Sequence, residues 1–172
     1  MVATTFRSED DKVPAIGADT LVTNDAVRAF QLFGGHKLIN HTVRNSLDAH
    51  DVIVKGISSQ ALIHLVHKVS VLSSGDALSK AIGISLRTLQ RRKAMEKGKG
   101  RLSTEQSSRA WQFAEIVAQA TEVLGDQEAA EAWILAPAIG LDNRRPIDLL
   151  SSAAGAEAVE HHLTRMEYGV YT

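Results

Sequence analysis

Between Gly75 and Ala94 the chain reads GDALSKAIGISLRTLQRRKA, and this run restricts the possible folds more than any other. Leu78 and Ile82 give a short helix one apolar side, and Ser79 is small enough to let a second helix approach. Gly83 follows where the chain must turn sharply, and its missing Cβ permits the positive φ that such turns often need. Ile84 buries beside the turn. Ser85 can cap the next helix by accepting a backbone N–H, and Leu86 and Leu89 are expected to point inward. Two short helices around a glycine turn have the spacing of a helix-turn-helix. The outward positions of the second helix are Arg87, Thr88, Gln90, Arg91 and Lys93, side chains able to bond base edges or phosphates in a major groove. Arg92 falls where this pattern usually places a hydrophobic residue, and with Ser85 it completes the candidate DNA-binding set. The competing reading of the same run is a plain helical hairpin inside a core.

The distribution of charge favours the nucleic-acid reading. The whole chain has a net charge of −1, and acids and bases balance up to Ile84. From Ser85 to Arg101 seven basic residues face one acid, Glu96, whereas Leu102 to Thr172 holds eleven acids and four arginines. A neutral front, a basic band and an acidic rear follow one another. Such a band is the electrostatic footprint of a polyanion site, although a solvated helix face would look similar.

Helical periodicity organises the rest. The composition, 44% hydrophobic and 23% charged, is that of a globular chain, and only 5% of residues are aromatic. Residues 1–23 carry Pro14, Gly17 and mixed charges without a sustained period and read as a flexible arm. Val27, Phe30 and Phe33 suggest a weakly patterned helix ended by Gly34-Gly35. Leu62, Leu65, Val66 and Val69 make a clear stripe at i, i+3, i+4 and i+7. In the rear, Ser103 and Gln106 form a capping box before a long helix. Its buried stripe is Ala110, Phe113, Ala114, Val117 and Leu124, and Gly125 can end it. Asp126 can cap a further helix bearing Ala129, Ala130, Trp133 and Ile134, which Pro137 stops. Pro146 suits the first position of a short helix holding Ile147, Leu149 and Leu150. Val159, Leu163 and Met166 line the last helix, with Gly169 beyond it. The expected fold is all-α: an arm over 1–23, a helical domain with the helix-turn-helix over 24–100, and a second small helical domain over 101–172.

Several chemistries find no support. Without cysteine there are no disulfides and no thiolate metal ligands. No apolar run approaches the ~18 residues that span a bilayer, and no signal pattern opens the chain, so a cytoplasmic location is expected. His64 and His67 lie on one helical face but lack a suitably spaced third ligand. They read as surface histidines, and His161-His162 as a solvated pair. Nothing resembles a nucleophile elbow or a phosphate loop. Lys97-Gly98-Lys99-Gly100 reads as a basic linker, and Trp111 and Trp133 as core residues.

The run EVLGDQEAAEAWILAPAIGLDNRRPIDLLSSAAGAEAVEHHLTRMEYGVYT resembles the toxin-binding domain of Xre/MbcA/ParS antitoxins. The likeness rests on Gly125-Asp126, Trp133, Arg145-Pro146-Ile147-Asp148-Leu149-Leu150, Gly155, Val159, Leu163, Tyr168 and Gly169. Upstream, Gly83-Ile84-Ser85 and Thr88-Leu89-Gln90-Arg91-Arg92 resemble the helix-turn-helix of the same family. The resemblance covers about residues 56 to 172. It implies an antitoxin encoded beside a RES-domain toxin that degrades NAD⁺ or uses it to modify a target. It further implies that C-terminal residues block the toxin's NAD⁺ pocket, that the complex represses its own operon, that the chain dimerises, and that it needs no cofactor and carries no catalysis. The candidate toxin-binding residues are Arg144, Arg145, Tyr168, Gly169, Val170, Tyr171 and Thr172. The alternative is a helix-turn-helix regulator whose rear domain only dimerises or senses a ligand.

Overall fold

The computed structural model describes residues 19–95 and 100–169. The described residues form nine α-helices, with short 3-10 turns between some of them: α1 Asp19–Leu32, α2 Ser46–Lys55, α3 Ser59–Lys68, α4 Gly75–Ile82, α5 Leu86–Ala94, α6 Thr104–Leu124, α7 Gln127–Leu135, α8 Pro146–Leu149 and α9 Ala153–Glu167. No strand occurs among the described residues. The only extended pairings there are two isolated bridges, Ser58 with Arg101 and Ala138 with Arg144. None of the described helices is long and apolar enough to cross a membrane.

Local chemistry sets most helix ends. Ser85 Oγ accepts from the Thr88 N–H at 3.2 Å. Ser103 and Gln106 form the reciprocal capping box at the start of α6, and Asp126 accepts from the Ala129 N–H at 2.8 Å. These side chains satisfy backbone donors that a helix start otherwise leaves unpaired. Gly83 ends α4 at φ 76°, a backbone angle that side chains with a Cβ rarely adopt. α7 stops at Leu135, ahead of Pro137, and Pro146 opens α8.

α6 is the axis of the molecule. It packs against α1, α2, α4, α7 and α9. The expected stripe of Ala110, Phe113, Ala114 and Val117 is buried, and so are Trp111, Ile116, Ala118, Ala120 and Ser107, while Leu124 is partly buried. Trp111 stacks on Phe33, the residue just past α1, with ring centroids 5.5 Å apart. One continuous core therefore runs through the neutral front and the acidic rear. The change in charge at Arg101 does not mark a gap in the packing.

The front departs from expectation in three places. α1 begins at Asp19, and the described buried stripe of the helix and the residue just past it is Ala26, Ala29, Phe30 and Phe33, with Val27 only partly covered. Alanines carry half of that stripe. α2 has no counterpart in the sequence pattern: its buried residues are Ala49 and Val52, and Leu47 and Val54 are exposed, so its apolar pattern has no single face. Leu86 does not point fully inward and remains 37% exposed. It is the first residue of α5 and lies over Gly75, where a Cβ would crowd it. The Lys97–Lys99 linker and most of the N-terminal arm lie outside the described residues.

Candidate functional site

α4, the Gly83 turn and α5 form the expected pair of short helices. Leu78, Ile82, Ile84 and Leu89 are buried at their junction. Arg87, Gln90 and Arg91 are exposed together on the outer face of α5, and Thr88 is half-buried. Ser85 is occupied as the cap, with its hydroxyl 3.0 Å from that of Thr88. Lys93 lies to one side, where Nζ donates to His67 Nε2 at 3.2 Å. Arg92 is placed differently from the rest. Its Nη1 donates to the buried Ser59 hydroxyl at 3.0 Å and toward the Arg101 carbonyl at 3.4 Å. Arg92 thus fills the position usually given to an apolar residue by tying α5 to the start of α3. The part of the basic band that projects freely from α5 is Arg87 and Arg91.

Two further residues brace this unit from a distance. Arg109 of α6 donates through Nη2 to the Lys80 carbonyl at 2.5 Å, at the C-terminal end of α4. A cation there complements the negative end of the helix. Its guanidinium also lies against Gly83, where any Cβ would overlap it. Arg101 donates to the Gly56 carbonyl at 2.7 Å. The Ser59 N–H bonds the Gly100 carbonyl at 2.8 Å, so the chain leaving α5 is stitched to the start of α3. None of these partners is near in sequence, and no local motif announces them.

The rear surface is built on the Arg145–Leu150 element. Arg145 is held internally: its guanidinium makes two 2.8 Å bonds to Asp148. Lys80 of α4 donates to the same carboxylate at 2.6 Å and to Asp76 at 2.9 Å. The hydrogen bonds from Arg145, then those from Lys80, hold the Asp148 carboxyl well below the usual range, at about 2. This network joins α8 to the first helix of the helix-turn-helix. Arg144, by contrast, is exposed, and so are Tyr168 and Gly169 at the end of α9. Gly169 has φ 64°. Val170, Tyr171 and Thr172 lie outside the described residues. The structure therefore brings Arg144 to a free surface and commits Arg145 to a scaffold.

His64 and His162 are less solvated than their positions suggest, whereas His67 is exposed. His64 Nδ1 donates to the Leu32 carbonyl at 3.0 Å, which fixes its tautomer and ties α3 to α1. His162 is half-buried and stacks on Trp133 at 6.1 Å, so only His161 of that pair is exposed. Burial pushes the His162 imidazole below its ordinary value, with Arg165 adding to the effect. Among the described residues no group of three His, Asp or Glu side chains could hold a metal.

Residues 48–115 match the family model of the Antitoxin Xre-like helix-turn-helix domain, and residues 119–169 that of the Antitoxin Xre/MbcA/ParS C-terminal toxin-binding domain. The two matches meet within α6, the helix that both halves share. The chain is also similar to Antitoxin Xre of Yersinia enterocolitica, being 32% identical over 123 residues, which are 71% of this chain and 80% of that one. With a helix-turn-helix followed by a toxin-binding domain in one helical core, the chain belongs to the Xre/MbcA/ParS family of antitoxins.

Proposed function

We propose that this antitoxin silences a RES-domain, NAD⁺-degrading toxin by occluding its active site with the C-terminal region, and that it represses its own operon through α5. The observation that carries the toxin half is the position of Tyr168 and Gly169. Tyr168 is 60% exposed at the end of α9, with the left-handed Gly169 after it. An NAD⁺ pocket offers an apolar surface for rings and cationic groups for the pyrophosphate. The Tyr168 and Tyr171 rings and the Val170 side chain match the apolar part of that chemistry. Arg144, free on the same domain, supplies docking outside the pocket. The chain acts as a plug and a repressor and supplies no catalytic group.

The DNA half rests on the exposed Arg87, Gln90 and Arg91. Two copies binding paired half-sites would combine modest individual affinities. Toxin activity is the direct test. A chain ending at Tyr168 should fold and bind DNA, yet leave NAD⁺ consumption running when added at the saturating concentration at which the full chain stops it. Equal inhibition by the two would move the occlusion to the domain surface. For DNA, the joint Arg87→Ala and Arg91→Ala variant should bind the promoter duplex more weakly. Its log–log salt dependence should flatten by about 0.9 for each lost phosphate contact. An unaltered slope would remove α5 from the interface.

A further inference from the structure

The turn between α7 and α8 is held more firmly than its length requires. The Ala138 N–H bonds the Arg144 carbonyl at 3.1 Å, and the Leu141 and Asn143 N–H groups both bond the Ala138 carbonyl at 3.0 Å. Asp142 and Asn143 are the two described non-glycine residues with positive φ, at 55° and 57°. Asp and Asn are the side chains that tolerate this left-handed conformation best, so the residues of the turn suit its shape. Ala138 and Leu141 anchor the turn in the core. Gly140 lies against the His162 ring so closely that any Cβ would overlap it, and that ring is backed by Trp133. This framework holds Ile139 at 88% exposure, the highest among the large apolar side chains described.

An isoleucine so placed gains nothing from its own chain, and the turn keeps it out of the core. A rigidly presented apolar side chain loses little conformational freedom on binding, which makes it suited to anchor a contact. Its surroundings indicate the kind of partner. Beside the turn runs an open groove whose lining includes two arginines, Arg144 and Arg165, together with His161 and one acid, Asp142. The complementary surface is an apolar socket with carboxylates on its rim. The whole turn lies within residues 119–169, the stretch that matches a toxin-binding domain. We propose that Ile139 is the apolar anchor by which this antitoxin grips its toxin, entering a socket rimmed by acidic residues that Arg144 and Arg165 face. The inference rests on the toxin-binding reading of the rear surface. It assigns grip to this turn, separately from the plugging assigned to the C-terminal residues.

The test uses the full chain and the toxin encoded in the adjoining reading frame. Affinity is measured by titration calorimetry for the wild type, Ile139→Ala, Ile139→Asp and Leu47→Asp. Leu47 is 78% exposed on α2, outside the matched domain, and serves as the control. Melting temperature and sedimentation of each free chain are recorded in parallel. Ile139→Ala should weaken toxin binding by at least about 30-fold, the range of a central contact residue. Ile139→Asp should weaken it further, with melting and sedimentation unchanged in both and Leu47→Asp binding like the wild type. Toxin affinity of Ile139→Asp within about threefold of the wild type would overturn the anchor while leaving the toxin-binding reading intact. A changed mass of the free chain with unchanged toxin affinity would assign Ile139 to a contact between copies and overturn it too. If the wild type binds no toxin, the underlying reading fails and the anchor with it.

Discussion

Glu115 offers the most quantitative test of the fold. It lies on α6 in a groove where Asp25 of α1, His50 of α2 and Glu160 and His161 of α9 also face. The Trp111 indole N–H donates to its carboxylate at 2.9 Å. Burial raises its pKa from 4.5 to about 7, against that hydrogen bond, and the charges of Glu160 and Asp25 add to the rise. A carboxyl whose pKa is raised on folding binds more protons in the folded state than in the unfolded one. Below pH 4.5 both states are protonated and the group has no effect. As pH climbs towards 7 the unfolded chain ionises first, so stability is lost across that window. Each pKa unit corresponds to about 1.36 kcal/mol, so a rise from 4.5 to about 7 sets an upper limit of about 3.4 kcal/mol. The side chain keeps some contact with water, which reduces the expected loss to about 1–2 kcal/mol. Glu115→Gln retains an oxygen for the Trp111 N–H and removes the ionisation. Urea unfolding at pH 4.5, 6 and 8 should show the variant equal to the wild type at the lowest pH and about 1–2 kcal/mol more stable at the highest. In a chain of this length that is a melting rise of roughly 2–8 °C. Two stability profiles that stay parallel from pH 4.5 to 8 would mean that Glu115 is solvated and that the groove is not packed as described.

Three other perturbations probe the long-range contacts. Arg109→Ala strips the cation from the end of α4 and should lower stability by about 1 kcal/mol in urea unfolding while weakening DNA binding; DNA affinity equal to that of the wild type would make its role purely structural. Asp148→Asn frees Lys80 and Arg145. Because the Asp148 pKa is depressed, its contribution is present above pH 3.8 and disappears as pH falls through about 2; the variant should lose at most about 1 kcal/mol at pH 7, this being a partly exposed network, and a gain in stability there would contradict it. A fragment from Arg101 to Thr172 would expose Trp111 and the rest of the α6 face that packs on α1, α2 and α4; it should show little cooperative melting by circular dichroism, and a sharp transition would show that the rear half folds alone.

The features legible in the residues themselves are ones that depend on neighbours along the chain. The caps at Ser85, Ser103 and Asp126 act within three residues, Gly83 and Pro146 act through their own backbone, and the stripe of α3 repeats within two turns. The resemblance to the antitoxin family likewise lies in short ordered runs. α1 and α2 were obscure because alanine contributes too little apolar contrast and because Leu47 and Val54 face solvent, so helical burial has no matching pattern to read. Only the tertiary structure decided which cations are free. Arg87, Arg91 and Arg144 are exposed, whereas Arg92, Arg109 and Arg145 are committed to Ser59, the Lys80 carbonyl and Asp148. Those partners lie 33 residues away for Arg92 and 29 for Arg109, and only 3 for Arg145. Even the last pair is completed by Lys80, 68 residues from Asp148. A guanidinium reads the same in sequence whether it faces water or a carboxylate, because its partner is chosen by how the helices cross.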